Sequence, residues 1–95
     1  MARKQARWMC TLDERILEHL EEDSWSTPRY MSKEFRFNAS RGRVEERCRK
    51  LTQAGLIAPI YEDANLYDIT SDGQQYLEGE LDAEHLSVTS QRPVH

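Results

Sequence analysis

Cysteine is scarce: Cys10 and Cys48 stand 38 positions apart, in no CxxC or CxxxH spacing. That excludes a disulfide framework and the usual zinc-ligand patterns. His19, His85 and His95 are scattered and form no ligand set. With four glycines and three prolines there is no glycine-rich phosphate loop, and no internal repeat occurs. No apolar run approaches the ~18 residues of a membrane-spanning helix, and the mean hydropathy is −0.83. The basic start, Met1 to Arg7, leads into no apolar stretch. A secretory leader is therefore not expected, and a cytoplasmic location is. The sequon Asn38-Ala39-Ser40 loses its meaning in that setting. A chain of 95 residues, 38% of them hydrophobic, allows one small domain with a thin core. An enzyme pocket with its scaffold is hard to house there. The composition predicts a binding module that is not an enzyme and carries no metal or cofactor.

The net charge of −4 is unevenly spread. Residues 1–25 carry −2, residues 26–55 carry +5 and residues 56–95 carry −7. The basic middle holds Arg29, Lys33, Arg36, Arg41, Arg43, Arg47, Arg49 and Lys50. A partner responds to this local field more than to the total. Arginine outnumbers lysine 10 to 3, and a guanidinium can grip a guanine edge or a phosphate with two parallel bonds. The plainer reading is a solvated helix face.

The order of elements follows from caps and periodicity. Thr11-Leu12-Asp13-Glu14 reads as a capping box, with Thr11 as the cap. Leu12, Ile16, Leu17 and Leu20 form one face of a helix over about 11–22. Asp23 to Ser26 reads as a turn. Thr27-Pro28 opens a short helix to about Phe35, with Met31 and Phe35 on one face and Tyr30 near it. Arg36-Phe37-Asn38 breaks it, with Asn38 suited to a left-handed conformation. A third helix runs from about Ala39 or Ser40 to Ala54, with Val44, Cys48 and Leu51 as its apolar stripe and Gly55 as its stop. Gly42 lies inside it at a cost of about 1 kcal/mol against alanine. Leu56–Tyr61 and Leu66–Thr70 read as two short strands, and Pro59 marks an edge. Thr70-Ser71-Asp72 caps a fourth helix carrying Tyr76, Leu77 and Leu81, which Gly73 and Gly79 weaken and residues 82–86 extend. Residues 1–10 read as an N-terminal extension, 11–86 as the domain and 87–95 as a frayed tail. Cys48 reads as a small core hydrophobe and Cys10 as a free thiol. Trp8, Trp25, Tyr30 and Phe37 are assigned to the core.

Three helices, a hairpin and a basic third helix give the order of a winged helix-turn-helix. The stretch Arg41 to Leu51 with Ala54-Gly55-Leu56-Ile57 resembles the recognition helix and first wing strand of winged-helix transcription regulators. Leu66 to Gly73 with Tyr76-Leu77 resembles the wing return and the helix after it. Arg7-Trp8-Met9, Asp13 to Leu17 and Tyr76 to Asp82 are similar to haloarchaeal proteins related to a temperate-phage repressor. The likeness covers about residues 7–86. It implies a mainly α fold with a small β-hairpin: a three-helix core, a wing and a C-terminal helix. It also implies a repressor-like protein from a halophilic archaeon, with helix 39–54 in the major groove of double-stranded DNA and the wing on the flanking backbone.

With Val44, Cys48 and Leu51 turned inward, the opposite side presents Gly42, Arg43, Glu46, Arg49 and Lys50. Ser40 and Arg41 add to it at the helix start. Ser40, Arg41, Arg43, Glu46 and Arg49 are the expected base readers, with Arg41 and Arg43 on guanine edges. Arg29, Lys33, Arg47 and Lys50 are the expected phosphate contacts. The alternative for each is a solvated charge or a helical pair such as Glu45–Arg49 or Glu46–Lys50. Two features depart from the pattern. The turn Phe35 to Asn38 lacks small residues, and the wing tip carries Glu62 and Asp63 in place of basic side chains. The acidic wing and acidic C-terminal third support a rival reading, a winged helix used as a protein–protein adaptor. A small redox or ligand sensor with DNA as its output is a third.

One recognition helix reads only a few base pairs, so a homodimer is expected. Trp8, Met9, Tyr76, Leu77 and Leu81 form the candidate interface. The competing assignment is that Trp8 and Leu77 close the monomer's own core.

Overall fold

The computed structural model describes residues 3–34, 37–62 and 64–86. Helix α1 (Thr11–Asp23) is followed by strand β1 (Trp25–Ser26), α2 (Pro28–Ser32), α3 (Arg41–Gln53), β2 (Ile57–Pro59), β3 (Tyr67–Ile69) and α4 (Ser71–Leu77). A 3-10 turn over Ala83–His85 closes the described part. The expected tail, 87–95, lies outside the described residues, as do Phe35, Arg36 and Asp63.

Helix α1 begins one residue earlier than its threonine suggested. Cys10 is the cap residue, and its backbone N–H donates to the Asp13 carboxylate at 2.9 Å. Asp13, not Glu14, therefore returns to the cap. Ser24 ends the helix at a φ of 74°. In α2 the Thr27 hydroxyl accepts the Tyr30 N–H at 3.0 Å, and Pro28 occupies the first turn, as expected. The helix stops at Ser32, and Asn38 adopts a φ of 50°, the left-handed conformation. In α3 the Ser40 hydroxyl accepts the Arg43 N–H at 3.2 Å. At its far end Gly55 has a φ of 84°. Its N–H reaches the Thr52 carbonyl and the Leu56 N–H reaches the Leu51 carbonyl, each at 3.0 Å. This paired closure satisfies carbonyls that a helix end would leave bare.

Among the described residues the sheet has three strands, not two. In the order β1-β3-β2, Trp25 and Ser26 pair antiparallel with Asp68 and Tyr67. Ile57, Ala58 and Pro59 pair with Ile69, Asp68 and Tyr67. A two-residue strand is too short to show alternation in sequence, which is why the turn-like segment hid it. Pro59 lies on an edge strand, as its missing N–H requires.

The core gathers Ile16, Leu17 and Leu20 from α1, Met31 from α2, Val44, Cys48 and Leu51 from α3, Leu56 and Ile57 from β2 and its approach, and Tyr76 from α4. Burial pushes the Cys48 thiol up to about 12, so it stays a neutral hydrophobe at ordinary pH. Phe37 is buried, but Trp25 and Tyr30 are 58% and 54% exposed and do not belong to the core. Helix α4 is shorter than expected. It ends at Leu77, and Gly79 turns the chain with a φ of 81°. The Thr70 hydroxyl caps it by accepting the Gly73 N–H at 3.1 Å. Gly73 is buried where α4 crosses the β2 approach, so it serves close packing and does not merely weaken the helix.

The N-terminal segment is packed down. Ala6 and Met9 are buried in the core, and the Trp8 indole N–H donates to the Ala83 carbonyl at 2.9 Å. Arg7 reaches Glu84 through its backbone N–H at 2.9 Å and its Nε at 3.0 Å. These backbone and side-chain donors hold the Glu84 carboxyl below the usual carboxylate range. Tyr76 is fully buried, and Trp8, Leu77 and Leu81 pack partly buried on the same cluster. The apolar residues proposed for a symmetric patch thus close the monomer's own core. The Tyr76 hydroxyl bonds to the Glu14 carboxylate, whose other oxygen takes Arg3 Nε at 2.8 Å. Burial first, and this bond second, push the phenol well above its ordinary value.

Candidate nucleic-acid interface

Helix α3 carries its two duties on opposite sides. Val44, Arg47, Cys48 and Leu51 face inward. Gly42, Glu46, Arg49 and Gln53 recur at i, i+4, i+7 and i+11 and are all exposed. They form one line along the outward face. Arg41 and Arg43 flank its start, both exposed, and half-buried Lys50 flanks its end.

The arginines at the helix start are held by neighbours. Arg41 Nε meets the Glu45 carboxylate at 3.1 Å, and Arg43 meets the Glu46 carboxylate at 3.2 Å. These replace the Glu45–Arg49 and Glu46–Lys50 pairs weighed from spacing alone. Exposed pairs of this kind contribute only about 0.3–0.5 kcal/mol, so they orient the guanidinium groups without locking them. Arg49 and Lys50 make no ion pair among the described residues. Ser40 spends one lone pair of its hydroxyl on the helix cap, which leaves its O–H and a second lone pair for a partner outside.

Arg47, expected to contact phosphate, is instead turned into the protein. It is 7% exposed, and its Nε and a terminal nitrogen bind the two Asp13 oxygens at 2.8 and 2.6 Å. The same terminal nitrogen donates to the Trp8 carbonyl at 3.1 Å. The hydrogen bonds to Asp13 hold its proton more firmly than usual. Arg47 therefore ties α3 to α1 and to the segment before it. The signal was present in sequence: Val44, Arg47, Cys48 and Leu51 together make the i, i+3, i+4, i+7 stripe of a buried face.

Of the other expected phosphate contacts, Arg29 lies exposed on α2 and Lys33 exposed just beyond it. Gln53 was missed. It continues the outward line by one further turn, and an amide there has the donor and acceptor that fit an adenine edge.

Gly42 is open. A Cβ built there meets nothing within 4 Å. The protein's own packing does not require glycine at this exposed helical position. Gly42→Ala is expected to raise stability by up to about 1 kcal/mol, since the first turn of the helix gains a better former without a clash. Thermal unfolding of the variant checks this; a loss of stability would mean that the position is crowded.

At the other end of the basic region the wing tip is apolar and acidic. Ile60 and Tyr61 are 40% and 67% exposed, and Glu62 is exposed beside them. Among the described residues no group of histidine, cysteine or carboxylate side chains could hold a metal ion. No helix among them is long and apolar enough to cross a membrane.

Helices α1 to α3, the short sheet and the hairpin after α3 define a winged helix-turn-helix, with α3 in the place of the recognition helix. The family model described as the winged helix-turn-helix phage repressor matches residues 1–89, and the chain belongs to that family. It is similar to the crystal structure of the PhiH1 repressor-like protein from Haloarcula marismortui, at 30% identity and a TM-score of 0.85. That likeness covers 94% of this chain and 99% of that one. No curated protein matches.

Proposed function

We propose that the chain is a sequence-specific DNA-binding regulator of the repressor type, with α3 as the helix that enters the major groove. The observation that carries the proposal is the outward face of α3. It holds arginines at both ends and a glycine in its first turn, and none of these is used by the core. Arg41, Arg43 and Arg49 are the candidate guanine readers. Glu46 serves as an acceptor for a cytosine amino group or as the clamp on Arg43, and Gln53 joins them. Arg29, Lys33 and Lys50 supply phosphate contacts. Gly42 lets the helix backbone approach the duplex.

The reading includes a homodimer, on the ground that one helix discriminates too few base pairs. Two recognition helices about 34 Å apart would read a two-fold site. Regulation would follow from occupancy: a dimer on an operator excludes or recruits polymerase. The acidic wing is compatible with this where salt is molar, because the Debye length then falls to ~3 Å and repulsion of phosphate is screened.

The test is a gel-shift series. Arg41→Ala and Arg43→Ala are expected to weaken binding to a specific site by about 1–3 kcal/mol each and to relax base preference. Lys50→Ala is expected to weaken all sequences alike. Equal loss on specific and random DNA for all three variants would remove the direct-readout assignment.

A second reading, a protein–protein adaptor, draws on the exposed Ile60 and Tyr61 beside Glu62 at the wing tip. It expects the arginine variants to leave partner binding intact and the wing variants Tyr61→Ala and Glu62→Lys to abolish it.

A further inference from the structure

Away from the basic face, the end of α1, strand β1 and the start of α2 enclose an open cavity of about 490 Å³. Its lining is His19, Asp23, Trp25, Ser26, Thr27 and Tyr30. The volume falls within the range of roughly 300–1,000 Å³ usual for small-molecule sites. Among the described residues four large apolar side chains are exposed, and two of them, Trp25 and Tyr30, belong to it. In so small a domain such rings are ordinarily drawn into the core.

The polar groups narrow the choice of ligand. Asp23 brings a carboxylate that is 53% exposed, and no lysine or arginine lines the cavity. An anion would meet only negative charge. The Thr27 hydroxyl already accepts the Tyr30 N–H at the start of α2. The buried His19 ring sits with Nδ1 3.4 Å from an Asp23 oxygen and packs against Tyr30 at a centroid distance of 5.8 Å. Ser26 is 95% buried, as its 5% exposure gives, and its Oγ has no hydrogen-bond partner among the described residues. A buried hydroxyl left so is uncommon, and it asks for a group that can bond to it.

We propose that this cavity binds a small protonated organic amine. The ammonium group would pair with the Asp23 carboxylate, and the Ser26 hydroxyl, turned from the wall into the cavity, would accept one of its N–H groups. The aromatic faces of Trp25 and Tyr30 would hold the cation and its apolar body. The site is independent of the α3 face, so it can be tested without reference to DNA.

Benzylamine and its neutral counterpart benzyl alcohol are the probes, titrated into the full chain while the two indole N–H resonances are followed by NMR. Trp8→Phe assigns which peak is which. Benzylamine is expected to shift the Trp25 peak saturably with a millimolar midpoint, in keeping with its few atoms, and to leave the Trp8 peak in place. Benzyl alcohol is expected to bind at least several-fold more weakly. Asp23→Asn is expected to remove that preference, and Ser26→Ala to weaken benzylamine while retaining it. Equal shifts with the two probes, no saturation, or an unchanged preference in Asp23→Asn would overturn the proposal. So would a Trp25 peak that moves with protein concentration alone, since a second copy would then be what covers the rings.

Discussion

Replacing Arg47 with alanine is expected to cost about 3–5 kcal/mol, the usual penalty for breaking a buried ion pair from one side. Asp13 is fully buried and would keep a charge without its partner. The Trp8 carbonyl would also lose the donor that fixes the N-terminal segment. For a domain of this size each kcal/mol moves the melting temperature by about 4–8 °C, so a fall of about 12 °C or more is expected. Arg47→Met combined with Asp13→Asn removes both charges and keeps an acceptor for the Cys10 N–H. It should recover much of the loss, because well-packed neutral groups often replace a buried pair at little cost. Thermal unfolding of the two proteins checks this. A single variant within a few degrees of the parent would mean that water reaches Asp13.

Gly73→Ala is the second large effect, and its sign is opposite to that of Gly42→Ala. A Cβ at Gly73 would lie 2.2 Å from the Leu56 carbonyl oxygen and 2.6 Å from Ile69 Cγ1. The Ile69 side chain can turn away; the carbonyl cannot move freely. It accepts the Thr70 N–H at 3.1 Å, and it directly precedes the β2 strand. Relief requires α4 to slide off the sheet, which would disturb the Thr70 cap and the seat of Tyr76. Crowding of a packed core costs typically about 1–3 kcal/mol and occasionally more, and a clash with backbone belongs at the upper end. Chemical denaturation of the glycine pair, one variant more stable and the other less, distinguishes this account from one based on helix propensity, which would have alanine stabilise both.

The helices were legible because their signals are local. Thr27-Pro28, Ser40 and Thr70 each cap a helix that the sequence announces. Gly55 stops α3 with the positive φ that only its lack of a side chain makes easy. Misplaced features depended on contacts between distant residues. Asp13 was passed over as the carboxylate that returns to the cap because Thr11 is a common capping type and Cys10, the actual cap, is not. Its second duty, to Arg47, joins positions 34 residues apart. Arg47 itself followed its charge to the surface in the sequence reading. Against Asp13 its charge is compensated, and it takes the inward place that its spacing from Val44 and Leu51 gave it. Trp25 and Tyr30 went the other way: large aromatic residues were assigned to a core that Trp8, Tyr76 and Phe37 help to fill. The outward face of α3 was legible because it needs only helical periodicity, and Gln53 lies on it one turn beyond the last arginine, where no charge marks it.

The most direct test of the central claim is selection of bound duplexes from a random DNA pool by the full chain, repeated over a range of salt. The α3 reading predicts enrichment of a short guanine-containing motif, present as two half-sites about one helical turn (34 Å) apart. Affinity for that motif should fall linearly with the logarithm of salt concentration, as phosphate contacts from Arg29, Lys33 and Lys50 require. A pool that emerges unenriched at every salt concentration, with no measurable retention of duplex DNA, would contradict it.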